Sequence, residues 1–196
     1  MLAHHVIFGA YGFWLPNDPR GSWSTFVGSW ELYRYGPATK TSERRSVAAA
    51  RHDVAARLAA KRSLKYPPVV FDGPQALSVA SGFGEHAKNA AMMIHACAVL
   101  PDHVHMVIAH TRFEAKVVVN QLKGAATKRL MTDERHPLAK FATPGERPPK
   151  AFARGQWIVH LDTPADIRRA IRYVEDNPVK ENLPPQRWRF VTPYAP

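Results

Sequence analysis

The segment spanning residues 94–108 constrains the fold most. Two apolar runs, Ile94-His95-Ala96-Cys97-Ala98-Val99-Leu100 and Met106-Val107-Ile108, stand on either side of Pro101-Asp102. A proline–aspartate pair between apolar runs is a turn signal, so the segment reads as two short strands joined by a turn. His103 and His105 follow the turn with Val104 between them. Strand side chains alternate faces, which puts both imidazoles on one face and Val104 on the other. Two imidazoles on one face can bind one divalent metal when a third ligand arrives from elsewhere.

The rest of the chain fits around this hairpin. Residues 3–11 read as a first strand, and residues 17–23 are too rich in turn-formers to continue it. Residues 24–42 have no clear period. Val47, Ala50, Val54 and Leu58 fall at helical spacing, which predicts a helix over 43–63 that Tyr66-Pro67-Pro68 stops. A second helix is predicted over 74–89 with Ala76, Leu77, Ala80 and Phe83 inward, although Gly82 and Gly84 weaken it. The best helical pattern covers 113–131, with Val117, Val118, Gln121, Leu122, Ala125 and Leu130 near one face. A polar loop over 133–155 leads to a short strand at 156–161. Thr163-Pro164 then opens a last helix, which Pro178 is expected to end near Asn177.

The order β–α–β–β–α–β plus a final helix predicts an α+β fold, a ferredoxin-like split βαβ with an antiparallel sheet. The whole chain, 1–196, reads as one domain. Residues 17–73 are treated as an insertion without a dense apolar core of its own, and 179–196 as a C-terminal tail.

The last helix carries the chemistry. Ile167, Ala170, Ile171 and Val174 form its buried stripe, while Tyr173 and Asn177, four residues apart, stack along an offset face. Asn177 can supply the third metal ligand that His103 and His105 require, with the Tyr173 phenol about one turn away. A metal held this way leaves positions for a phosphate oxygen, and a tyrosine hydroxyl can attack phosphorus to form a covalent link.

A net charge of +11 over 196 residues points to a polyanionic partner, nucleic acid or an anionic surface. No apolar run reaches the length of a membrane span, and the N-terminus lacks a signal-peptide layout. The single cysteine, Cys97, excludes an intrachain disulfide and a thiolate zinc site, which fits a reducing cytoplasm. Between Arg112 and Arg154 there are ten Lys or Arg against four Asp or Glu, so this stretch is the expected phosphate-binding region.

Pro101-Asp102-His103-Val104-His105 resembles the histidine–hydrophobe–histidine motif of HUH single-strand endonucleases, and within them the IS200-type single-tyrosine (Y1) transposases. Tyr173-Val174-Glu175-Asp176-Asn177-Pro178-Val179 is similar to the tyrosine-helix motif of the REP-associated tyrosine transposase branch. Asn177 stands where insertion-sequence relatives usually have glutamine. Tyr11-Gly12-Phe13-Trp14-Leu15-Pro16-Asn17-Asp18-Pro19-Arg20-Gly21-Ser22-Trp23 resembles the family's opening strand and loop. Leu122-Lys123-Gly124-Ala125-Ala126-Thr127-Lys128-Arg129-Leu130 resembles the helix after the histidine strand. The resemblance covers residues 3–23 and 86–183, and 24–73 match only loosely.

The resemblance implies a metal-dependent transposase that nicks and rejoins single-stranded DNA through a phosphotyrosine at Tyr173. The metal, Mg²⁺ or Mn²⁺, would be held by His103, His105 and Asn177. Hairpin-forming repeats are the expected substrate, no membrane is involved, and the protein is a monomer or a homodimer. Arg20, Lys123, Lys128, Arg129, Lys150, Arg154, Arg187 and Trp188 are the expected DNA contacts. Trp14, Trp23 and Trp30 are also placed to stack on unpaired bases, although fastening a loop is the favoured role for Trp14. His95 and His160 are read as packed or hydrogen-bonded strand residues. The alternatives are a non-catalytic nucleic-acid-binding module of the same fold and a water-using metal phosphodiesterase.

Overall fold

The computed structural model describes residues 1–41, 47 and 50–195. In chain order it forms strand β1 (Ala3–Gly9), a single helical turn α1 (Trp30–Tyr33), helix α2 (Val54–Arg62) and helix α3 (Gly73–Asn89). Strands β2 (Ile94–Val99) and β3 (His103–Ala109), helix α4 (Ala115–Thr132), strand β4 (Trp157–Leu161) and helix α5 (Pro164–Lys180) follow. The strands make one sheet in the order β2-β3-β1-β4, with every neighbouring pair antiparallel. This is the predicted α+β, split βαβ topology.

Strand alternation sorts the side chains into two layers. Val6 and Phe8 of β1 and Val104, Met106 and Ile108 of β3 enter the main core, against Val79 and Phe83 of α3 and Val119, Leu122 and Leu130 of α4. On the other face Ala3, Ala96, Ala98, Val107 and Leu161 meet Ile167, Ala170 and Val174 of α5. With both faces covered, β2 and β3 read as nearly continuous apolar runs. Helix α5 opens on a reciprocal cap in which Thr163 Oγ1 accepts the Asp166 N–H at 3.1 Å and Asp166 accepts the Thr163 N–H at 3.3 Å.

Four expectations change. The first long helix begins at Val54, because Asp53 caps it by accepting the Ala56 N–H at 2.9 Å in an extended backbone conformation. Positions 43–46, 48 and 49 of the predicted helix lie outside the described residues. In α3, Leu77 faces solvent at 54 % exposure. Gly82 there is a contact point, since a Cβ on it would lie 2.7 Å from the Ala125 carbonyl oxygen of α4. The buried stripe of α4 is rotated to Val118, Val119, Leu122, Lys123, Ala126 and Leu130, leaving Val117 exposed. Pro178 lies inside α5 instead of ending it. Its ring is buried, it removes one N–H close to the helix end, and the Glu181 N–H closes the last turn on Asn177 and Pro178 carbonyls.

The insertion packs a small apolar cluster, Val27, Leu32 and Ala60, against Leu15 of the loop after β1. Asn17 fastens it by donating to the Leu32 carbonyl at 2.9 Å. The returning chain then runs past the histidine hairpin, where Val69 N–H donates to Tyr11 O and Phe71 N–H to Pro101 O.

Candidate active site

Alternation on β3 turns His103 and His105 toward the α5 side of the sheet, as predicted, while Val104 enters the main core. Each imidazole has its Nδ1 engaged. Asp102 Oδ1 lies 2.8 Å from His103 Nδ1, and His5 Nε2 of neighbouring β1 lies 3.1 Å from His105 Nδ1. A carboxylate only accepts, so His103 donates Nδ1–H, and in the neutral imidazole that tautomer has its lone pair on Nε2. The tautomer in which His105 donates to His5 leaves His105 Nε2 free in the same way. Phe13, from the loop after β1, stacks on His103 with ring centroids 4.6 Å apart and planes 8° from parallel. Burial holds the His5 pKa down to about 4. Burial, followed by the His103 and His5 charges, brings His105 to about 2. Both rings are therefore neutral at physiological pH, the form in which imidazole ligates metal.

Helix α5 brings Tyr173 to these rings. Its ring lies edge-on, 5.5 Å from His105 and 5.7 Å from His5, and the residue is 43 % exposed. The Lys180 ammonium stands 5.1 Å from the Tyr173 ring centre. Asn177 follows Tyr173 by four residues, about one helical turn further along α5. Asn177 is buried on that turn, and its Nδ2 has no hydrogen-bond partner among the described residues.

A divalent metal is what the motif set implies, and these residues fit one. Among the described residues no three His, Cys, Asp or Glu side chains form a metal-holding group. The Asn177 amide carries an oxygen donor, and exchanging its two ends turns Oδ1 to the orphaned position.

The expected DNA contacts divide. Lys123 is buried at 8 % exposure. Its ammonium donates to Ala153 O at 2.9 Å and Gly155 O at 2.8 Å and sits over the Phe8 ring, so it ties α4 to the loop before β4 and does not face solvent. Arg129 pairs with Glu85 at 2.7 Å and Asp133 at 3.0 Å, and Lys128 is exposed on the same helix. All three belong to α4, across the sheet from His103 and His105. Arg20 pairs with fully buried Asp18 at 2.8 Å and covers the Trp14 ring at 3.8 Å, bracing the loop that carries Phe13. Trp14 fastens that loop through Nε1–H to Gly21 O at 2.7 Å.

Trp188 packs on the main core and donates to Cys97 O at 3.1 Å, clamping the tail along β2, with exposed Arg187 beside it. Gln186 and Thr192 tie the same tail to Val99 and Ile94. Lys150 and Arg154 are exposed near the histidine end of the sheet, where Ala153 N–H bonds Gly9 O and Gly9 pairs with His103. His95 bonds Thr192 O at 3.0 Å, and His160 turns to the α3–α4 side with His4.

Sequence reasoning missed His5, Phe13 and Lys61. The doublet His4-His5 sends one imidazole to each face, and only strand register says which one meets His105. Burial lowers the pKa of Lys61 of α2, the Arg57 charge lowers it further, and the Asp102 carboxylate opposes them.

Residues 63–177, more than half of the chain, match the family model described as "Transposase IS200 like". His103, His105, Tyr173 and Asn177 all lie inside the matched stretch. No curated protein matches the chain. Two of the solved structures that the chain resembles show the extent of the similarity. One is a REP-associated tyrosine transposase bound to a REP hairpin, 12 % identical, covering 92 % of this chain and 68 % of that one, with a TM-score of 0.46. The other is a Deinococcus radiodurans R1 protein described as a transposase, 15 % identical, covering 87 % and 88 %, with a TM-score of 0.42.

Proposed function

The chain belongs to the family of IS200-like transposases, and from that premise we propose that it nicks and rejoins single-stranded DNA with Tyr173 as nucleophile. The observation that carries this reading is the half-exposed Tyr173 ring set edge-on against His105 and His5. The phenol oxygen attacks phosphorus, the phenol proton leaves, and the bond to one sugar oxygen breaks as that oxygen takes up a proton. The product is a phosphotyrosine diester that a second sugar hydroxyl reverses, so the strand is rejoined without an external energy source.

His103, His105 and Asn177 would hold the metal, Mg²⁺ or Mn²⁺. When bound, it supplies Lewis-acid stabilisation of charge on the phosphate oxygens. Asp102 and His5 keep the two imidazoles in the ligating tautomer and orientation. Phe13 fixes the His103 ring plane by stacking. Arg154 and Lys150 border the same end of the sheet and would neutralise the strand that enters there. Hairpin-forming repeats are the substrate that the motifs at residues 11–23 and 173–179 suggest.

The test mixes purified protein with labelled single-stranded hairpin DNA from the flanks of its own gene, in Mn²⁺ or EDTA, beside Tyr173→Phe. A metal-dependent covalent band that Tyr173→Phe abolishes is the expected result. Cleavage without an adduct would replace the reading with a water-using phosphodiesterase. Tight binding with no cleavage in any metal would replace it with a binding module.

A further inference from the structure

The sheet face that carries the histidines continues past them into an open corner. Register places Ile7 beside His105 and Trp157 beside Ile7, so one row runs from His105 on β3 across β1 to Trp157 on edge strand β4. The next row sets Val159 beside His5. Helix α5 covers Ala3 and Leu161 at the far end of these two strands, but Ile7 and Trp157 remain half-buried and Val159 is exposed.

Trp23 leans over this corner from the loop after β1, its ring centre 3.9 Å from that of Trp157 and its plane tilted by 33°. The loop is held firmly just before it. Ser22 N–H donates to Thr39 O at 2.7 Å, Ser22 Oγ to Pro16 O at 2.5 Å, and Trp14 Nε1 to Gly21 O at 2.7 Å. Trp23 is nevertheless 47 % exposed.

We propose that Trp23 and Trp157 form a stacking platform for one unpaired base of the DNA strand whose phosphate lies at Tyr173. The inference rests on the strand-transfer reading above and adds to it where the neighbouring nucleotide goes. Two strand spacings separate His105 from Trp157, about 10 Å. At a stacked rise of about 3.4 Å per nucleotide that gap spans up to roughly three nucleotides, and fewer in an extended strand. An exposed cation, Arg154, precedes Trp157 by three residues, which suits an anionic backbone over an aromatic floor. A base is the fitting occupant because every base offers a π face, whereas a duplex keeps its faces stacked inside.

The test measures binding, by fluorescence anisotropy, of a labelled single-stranded oligonucleotide that carries the cleaved sequence and of the same sequence as a duplex. Trp23→Ala is expected to weaken single-strand binding by about 5- to 150-fold, and Trp23→Phe to restore most of it. Duplex binding stays unchanged. An abasic position within three nucleotides of the cleaved bond should reproduce the loss in the unaltered protein and add nothing in Trp23→Ala. Unchanged single-strand binding by Trp23→Ala overturns the inference, and so does an equal loss for duplex. The readout is binding, so absence of a tyrosine adduct would refute the strand-transfer reading, while a single-strand-specific loss in Trp23→Ala would still show the stacking contact. Adduct formation with no effect at Trp23 would refute this one alone.

Discussion

Replacing Lys123 with methionine separates two roles that a basic residue in this helix can have. In the structure its ammonium is buried, bonded to two carbonyls and set over the Phe8 ring. Each charge-assisted hydrogen bond contributes about 2 kcal/mol, and the cation–π contact about 1 kcal/mol. Burial lowers the Lys123 pKa from the ordinary 10.5 to about 8, so the variant recovers roughly 3 kcal/mol of desolvation cost. The net expectation is a loss of about 2 kcal/mol, or about 4–8 °C in Tm for a chain of this size.

The sign of the pH dependence follows from the same shift. Between about pH 8 and 10.5 the unfolded chain holds the proton that the folded chain has released. Stability therefore rises with pH across that window, and the advantage of the parent protein over Lys123→Met grows. Thermal melts of both proteins from pH 7 to 10.5 read this directly. The salt slope of single-strand DNA binding should be unchanged in Lys123→Met, whereas Arg154→Met should flatten it by about 0.7. An unaltered Tm together with a slope lowered by about 0.7 in Lys123→Met would refute the structural role and make the residue a phosphate contact.

Three further expectations follow from other parts of the molecule. His5→Ala removes the partner of His105 Nδ1 and should weaken Mn²⁺ binding by about 10- to 100-fold, read by the EPR signal of free Mn²⁺; unchanged affinity would leave His5 a packing residue. Gly82→Ala gains about 1 kcal/mol of helix propensity but drives a Cβ to 2.7 Å from backbone of α4. It should lose about 1–2 kcal/mol net, while Gly124→Ala, with nothing within 4 Å of its Cβ, should gain about 1 kcal/mol; paired urea melts check both signs. Burial pushes the Cys97 thiol well above its ordinary pKa, so an aromatic disulfide reagent should label it only at the rate of unfolding. Rapid labelling of the folded protein at pH 8 would contradict that burial.

Where a feature depended on local pattern, the sequence was enough to read it. The hairpin around Pro101-Asp102 is marked by its turn residues. The docking stripe of α5 is marked by Ile167, Ala170 and Val174 at helical spacing, and its start by Thr163-Pro164. The adjacency of Tyr173 to His105 follows once α5 is laid on the histidine face. What escaped depends on contacts between distant segments. No local pattern shows that Lys123 folds back on the carbonyls of residues 153 and 155, or that Arg20 is absorbed by Asp18. Nor does one show that His5, and not His4, turns toward His105. Gly82 looks like a helix weakness until α4 is placed against it. Charge count located a basic region, but pairing and burial decide which of its members face outward.

The bed on which α5 rests is made largely of alanine: Ala3, Ala96 and Ala98 from the sheet, with Ala170 from the helix. Methyl groups set the height of the helix above the strands, and that height is shared by everything α5 carries. Tyr173 and Asn177 are one turn apart on a single rigid rod, so they rise or fall together. Ala98 is the strand neighbour of His105. A valine there would act as a shim, lifting Tyr173 and Asn177 from the sheet in one movement without touching either.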